Sequence, residues 1–340
     1  VLTELSPFAT FIASNFNSPV GDNFEDDANS ILDEVKQEYD WMHQTQHTID
    51  GKIQYESDVE GTKKSVKGRI NFTIWSDVFI CPNCTNELVF WDVAVKNNDV
   101  QENFSCTNCK SNLTKRGLER SLITIHDSVI DKVVKQAKQV PVLINYTVAK
   151  AKKSTRYYKK PDRFDLDLIK KIDEMKSDDW YPSSKLPEGH NTNQPIKSHK
   201  FTHVHHFYTK RNLVMLSKLH ELIGQTRHCL LLLFSSHLIN LSEMNRHRFN
   251  VSFPYNPFSG TLYVSSLTRE ANILPAYENK LKRFIFSYYS YSNIISTQSS
   301  TNIPQIPDNT IDYIFTDPPF GENLMYSELN FLWESWLKVI

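Results

Sequence analysis

The chain has 340 residues, 40% of them hydrophobic and 12% aromatic, with a formal net charge of −1. That length accommodates two or three domains at roughly 150 residues each. The charge excludes a globally basic protein, and no run of about 18 apolar residues offers a membrane span.

Val1-Leu2-Thr3 reads as a strand already in progress, without an initiating Met, signal peptide or basic leader. Trp336 to Ile340 stops inside an apolar helix pattern, so a piece cut from a longer chain is expected. Glu4-Leu5-Ser6-Pro7 supplies an acid at a strand tip, a Ser cap and a Pro for the first helical turn. Phe8, Phe11, Ile12 and Phe16 then recur at helical spacing. An acid at such a strand tip commonly binds ribose hydroxyls; it can equally be a solvated loop acid. Asp22 to Glu60 is acidic, and Ile31, Leu32, Val35, Tyr39 and Met42 form the buried side of a helix there.

Arg69 to Ile80 alternates as a strand and leads into Cys81-Pro82-Asn83-Cys84. Glu87 to Val95 gives a second strand pattern, and Cys106-Thr107-Asn108-Cys109 closes the unit. C-x-x-C, about twenty residues, C-x-x-C is a zinc-ribbon spacing: each pair sits on a tight turn, and two such knuckles complete a tetrahedron of thiolates. Four sulfurs leave no open position, which makes Cys81, Cys84, Cys106 and Cys109 a structural Zn2+ site. With no secretory signal, two close pairs argue for a metal in a reducing, cytoplasmic setting rather than disulfides. Cys229 stands alone.

From Lys132 to Lys171 basic residues outnumber acids, with Tyr157 and Tyr158 interleaved, a pattern that suits a phosphate backbone or a solvated face equally. Val140 to Val148 reads as a strand, Asp165 to Met175 as a short helix, and Asp178 to Lys200 as a long loop. His203, His205 and His206 invite a metal, but no acid or cysteine accompanies them in sequence. They more simply precede a helix, Asn212 to Ile223, with Lys210 and Arg211 available to an anion. Leu262 to Val264 reads as a strand after a turn, Ala276 to Tyr289 as an amphipathic helix, and Ile294 to Ser300 as a strand with a polar tip.

Thr310 to Phe315 reads as a buried strand that stops at Thr316-Asp317-Pro318-Pro319-Phe320-Gly321. An acid accepts hydrogen bonds, prolines hold the carbonyls in a stiff frame, and the ring offers a stacking surface. Together they fit a planar group bearing an exocyclic amine.

With Ile306 to Asp312 before it, Asp317-Pro318-Pro319-Phe320 resembles the catalytic motif of S-adenosylmethionine-dependent DNA amino-methyltransferases, in the acid-first form typical of N6-adenine enzymes. Glu4 to Phe16, the cysteine ribbon, His203 to Asn212, Ser259 to Val264 and Gly321 to Trp336 resemble more narrowly a bacterial subgroup with an inserted zinc ribbon. The resemblance implies a partial Rossmann-like α/β sheet interrupted by a large α+β insertion. Its parts would be a cofactor-side core segment (1–20), an acidic helical segment (21–68), the ribbon (69–120), an inserted candidate DNA-recognition region (121–275) and the core with the catalytic loop (276–340). It further implies that Asp317 and the Pro318 carbonyl hold the target amine, with Pro319 stiffening the loop and Phe320 stacking on a flipped base. Glu4 and Leu5 would hold S-adenosylmethionine. Ser299 and Ser300 stand where the family often has an acid beside the cofactor adenine. The family's glycine-rich strand-turn is not seen, and the insertion is unusually long. The implied activity is DNA adenine-N6 methylation in restriction-modification or phage defence. N4-cytosine or RNA methylation, or a catalytically silent zinc-ribbon nucleic-acid binder, are the alternatives.

Overall fold

The computed structural model describes residues 1–57, 61–150, 153–176, 179–224, 228–251, 254–284, 293–317 and 325–340. Strand β1 (Leu2–Glu4) leads to Ser6, whose hydroxyl accepts the Ala9 N–H, and Pro7 opens helix α1 (Pro7–Phe16). Helix α2 (Phe24–Tyr39) buries Ala28, Ile31, Leu32, Val35 and Tyr39 on one side. Its first turn carries Glu25, Asp26 and Asp27, where the helix dipole favours acids. Strand β2 (Gln44–Gln46) follows.

Strand β3 (Lys67–Ile80) is the spine of the molecule. It is followed by β4 (Glu87–Val89), α3 (Phe90–Ala94), the hairpin β5 (Asn103–Ser105) and β6 (Asn112–Thr114), and β7 (Glu119–Arg120). A second hairpin, β8 (Leu122–Asp127) and β9 (Lys132–Ala137), precedes the long strands β10 (Gln139–Lys150) and β11 (Lys153–Lys159). Among the described residues β3 pairs antiparallel with β10 and β7 along one edge, and with β2, β12 (Leu267–Ala271) and β4 along the other. β11 extends the sheet beyond β10.

Helices α4 (Arg163–Asp173), α5 (His190–His199), α6 (Lys210–Ile223), α7 (His228–Ser235), α8 (Ile273–Leu281), α9 (Tyr326–Leu329) and α10 (Phe331–Trp336) complete the set, with β13 (Ile295–Thr297) before the last two. The main core joins the buried faces of α2, α6, α7, α8 and α10, with Met215, Leu216, Phe234, Leu332 and Trp336 almost wholly enclosed. Buried aromatic polar atoms find partners there: the Tyr277 hydroxyl donates to the Phe234 carbonyl at 2.6 Å, and Trp333 Nε1 to the Ser235 carbonyl at 3.0 Å. A separate apolar cluster of Phe79, Leu88, Phe90, Phe104 and Leu113 sits under the cysteines.

Several expectations change. The fold is mixed α/β, but its main sheet is antiparallel rather than a parallel Rossmann sheet. Among the described residues one parallel pair appears, β1 with β13. Glu87 to Val95 is a strand only at Glu87–Val89 and again at Val95, with α3 between them, because Phe90 and Val93 pack inward at helical spacing. The expected long loop contains α5. Leu262 to Val264 forms no strand although Leu262 and Val264 are buried. Thr310 to Phe315 forms no strand: Tyr313, Ile314 and Phe315 are 79%, 74% and 81% exposed. β-branched alternation favours a strand only where a partner edge exists, and this run pairs with none of the described residues.

Candidate functional site

The four cysteines converge as their spacing predicts. Cys81 and Cys84 end the turn after β3, and Cys106 and Cys109 end the turn after β5. Each turn is closed by a backbone bond, from Thr85 N–H to the Cys81 carbonyl at 2.9 Å and from Lys110 N–H to the Cys106 carbonyl at 3.2 Å. Thr85 and Lys110 take positive φ, of 58° and 64°, so that each chain doubles back. The sulfurs approach to 3.7 Å between Cys81 and Cys109 and 3.6 Å between Cys84 and Cys106, and all four lie within 4.8 Å of one another. A tetrahedron with Zn–S bonds of about 2.3 Å has edges of about 3.8 Å, so the donor set fits a four-sulfur metal site. Burial pushes the Cys81 thiol up to about 11, while hydrogen bonds from Ser111, whose hydroxyl lies 3.1 Å away, bring Cys109 down to about 6. The four cysteines could therefore hold a structural metal.

The residues expected to bind a cofactor meet at the β1–β13 pair. Glu4 lies opposite Thr297, and the Gln298 N–H donates to the Glu4 carbonyl at 3.0 Å. Glu4 Oε1 accepts the Leu5 N–H at 2.8 Å and the Ser6 N–H at 3.4 Å, and Oε2 makes no hydrogen bond among the described residues. Leu5 is 71% exposed; Ser299 and Ser300 are exposed too, and the Ser299 hydroxyl is 2.8 Å from Thr301 Oγ1. An exposed carboxylate oxygen and an exposed apolar side chain thus lie at the carboxyl end of a parallel pair. Asp317 is exposed and makes no hydrogen bond or ion pair with these residues. Pro318, Pro319 and Phe320 lie outside the described residues. Beside the β1–β13 pair, the Ser6 hydroxyl donates to Glu334 of α10 at 3.0 Å, and Phe8 stacks on Trp333 at 5.0 Å.

The histidine segment has the acid that its sequence neighbourhood lacks. Asp127, at the end of β8, takes His205 Nε2 and His206 Nε2 on the same oxygen, Oδ2, each at 2.8 Å. All three side chains are buried. No sequence signal joined them, because Asp127 is brought over by the β8–β9 hairpin. The three donor atoms lie within 4.8 Å of one another, a spacing that a metal ion could also use. The Thr202 backbone N–H donates to His206 Nδ1 at 3.1 Å, so Nδ1 carries the lone pair and Nε2 the proton. Burial lowers both histidines below their usual range, so they are neutral at pH 7. Burial raises the Asp127 carboxyl, but the His206 and His205 hydrogen bonds outweigh it and hold it at about 2. The result is a carboxylate clamp that pins the hairpin to the histidine turn.

A second buried network lies under β3. Asp77 accepts from Arg120 Nε at 2.7 Å, Gln139 Nε2 at 3.1 Å and His199 Nε2 at 3.3 Å. Glu270 accepts from Trp75 Nε1 and Arg211 Nη1, both at 2.9 Å, and from the Thr209 hydroxyl at 2.6 Å. These contacts fasten α5 and α6 to the sheet.

Compared with known proteins, the chain matches no family model, no curated protein and no solved structure. No helix among the described residues is long and apolar enough to cross a membrane.

Proposed function

We propose that the chain carries part of an S-adenosylmethionine-dependent DNA methyltransferase acting on the N6 amine of adenine, stapled by a structural zinc ion at Cys81, Cys84, Cys106 and Cys109. The observation that carries this reading is the parallel pairing of β1 with β13. It brings Glu4 beside Gln298, and with it the Ser299–Ser300 tip, at the carboxyl end of a parallel sheet. Open α/β sheets hold nucleotides at such an end. The Asp317-Pro318-Pro319-Phe320 sequence supplies the second half of the argument.

In this reading Glu4 holds the cofactor ribose and Leu5 lies against its adenine. The bound cofactor supplies an electrophilic methyl group. Asp317 and the Pro318 carbonyl accept hydrogen bonds from the target amine and turn its lone pair into line, while Phe320 stacks on the flipped base. No covalent bond to the protein is needed. The DNA partner enters through the Tyr157–Tyr158 region of the insertion, where arginines and lysines are interleaved with rings.

The test is to incubate DNA with the full-length protein and labelled cofactor, digest to nucleosides and identify the modified base. N6-methyladenine is expected, and Asp317→Ala should abolish it. Label in cytosine or in RNA would move the acceptor. Undiminished activity in the variant would remove Asp317 from the mechanism, and no label at all would leave a zinc-stapled binding protein.

A further inference from the structure

One face of the main sheet carries cations and rings without a carboxylate among them. Register across β11, β10, β3 and β12 aligns Tyr158 with Asn145, Asn145 with Phe72, and Phe72 with Ala271. Arg156 is two residues from Tyr158 on β11, and Arg269 two residues from Ala271 on β12, so both share that face. The Arg269 guanidinium lies 3.7 Å from the Phe72 ring centre, and Phe72 meets Tyr158 edge to face at 6.4 Å. Tyr158 is 64% exposed and Arg156 is exposed. Beyond Arg269 the same side continues into His247, which packs on Phe249 at 4.6 Å and Trp91 at 6.0 Å.

The electrostatics of this face are unbalanced. Burial lowers the Arg269 pKa; the charged and titratable neighbours acting on it are Tyr255, Tyr158 and Arg156, with His247 beside it, and none is a carboxylate. Arg269 Nε is buried without an acceptor, and neither Arg269 nor Arg156 forms an ion pair among the described residues. Among the described residues the fully buried cations are paired, Arg211 with Glu270 and Lys159 with Asp165. Two arginines that repel one another beside an exposed ring, with donors left over, call for an anion that also presents a flat apolar surface. A polynucleotide strand is both. In a duplex the base faces are already stacked on each other, whereas an unpaired base is free to lie on a tyrosine while its phosphates reach arginine.

We infer that the open face formed by Arg156, Tyr158 and Arg269 binds a single-stranded nucleic-acid segment, with a base stacked on Tyr158 and the flanking phosphates held by the two arginines. This rests on the nucleic-acid partner of the reading above but not on its chemistry.

The experiment is fluorescence-anisotropy titration of a labelled single-stranded DNA oligonucleotide of about 12 bases and of the matching duplex, across a salt series. Wild type should bind the single strand more tightly. Tyr158→Ala, at an exposed position, should weaken single-strand binding by about 5- to 150-fold, the effect of losing one stacked base. Arg156→Ala should lower the slope of log affinity against log salt by about 0.7. Circular dichroism melting of each variant checks that the fold is kept. No binding by wild type, equal binding by the Tyr158 and Arg156 variants, or displacement by polyglutamate as effective as by unlabelled oligonucleotide would overturn the inference. The last outcome would point to an acidic protein. Asp317→Ala separates the two readings. Tyr158-dependent binding without methyl transfer in wild type would sink the enzyme and leave the face. Methylation with Tyr158-independent binding would do the reverse.

Discussion

Glu243 shows how burial sets the chemistry of a single residue. Its Oε2 is enclosed without a hydrogen-bond partner, and its backbone N–H donates to the Phe207 carbonyl at 2.7 Å. Burial, followed by the charges of Asp77 and Glu270, pushes its carboxyl up to about 8. The folded state therefore keeps a proton that the unfolded chain releases above about 4.5, and the unfolded state binds fewer protons between those values. Stability consequently falls as pH rises from about 4.5 to 8. Glu243→Gln, which keeps the shape and a donor, should stabilise the protein by about 2–4 kcal/mol at pH 8 and by little at pH 4.5. Urea unfolding of both proteins at the two pH values measures this; an equal gain at both would rule the proton out as its source. Asp77 behaves oppositely. Burial raises its carboxyl, but the His199 hydrogen bond, with Arg120 behind it, holds it far below the usual range.

Among the elements, α5 is the instructive case, because its sequence lacks a start signal. Gly189 occupies the N-cap with no side chain to offer, and Pro195 lies inside the helix. The cap comes instead from Glu328 of α9, whose Oε2 accepts the N–H groups of Asn191 at 2.7 Å and Thr192 at 3.1 Å. A Cβ at Gly189 would sit 2.2 Å from the Glu328 carboxyl carbon, so any larger residue there must push that capping side chain aside. Glu328→Ala should cost about 1–2 kcal/mol, the usual worth of a cap. Gly189→Ala should cost a comparable amount by displacing the same carboxylate. A double-mutant cycle in urea checks the pair; strictly additive losses would show that the two positions do not share one interaction. The strand signal of Thr310 to Phe315 fails for the complementary reason, since its residues favour β structure but no described edge receives them.

At the scale of the whole molecule, β3 runs through three separate apolar clusters, through Ile70, through Phe72 and Ile74, and through Phe79. Its middle lies in the main sheet, while Phe79 near its end belongs to the cluster under the cysteines. That cluster is small, so a metal held by the four cysteines would supply much of its stability, as in small metal-dependent units generally. Elemental analysis should give about one zinc per chain, and Cys106→Ser should lose it. Chelation should melt the ribbon first and leave the helical core around Trp336 folded, seen as two transitions in calorimetry where the metal-loaded protein gives one. A single transition at an unchanged temperature after metal removal would show that the cysteines do not hold the ribbon together.

The four-cysteine cluster could be read from the chain because each pair is local: each C-x-x-C turn forms once the two strands of its own hairpin pair. α1, α2 and α6 could be read as well, since a Ser or Thr cap or an apolar stripe lies within each segment. The Asp317 motif, too, is legible only as sequence, for Pro318 to Phe320 lie outside the described residues. What depended on tertiary structure was everything whose partners are far apart in the chain. Asp127 reaches His205 and His206 only through a hairpin, Glu328 caps a helix on another part of the molecule, and Glu4 meets Gln298 only because β1 and β13 pair. The antiparallel main sheet belongs with these, since register is a choice among edges and no single strand contains it. Local spacing dictates turns, caps and chelating pairs; long-range pairing decides which polar groups are buried together, and from that their protonation and chemistry.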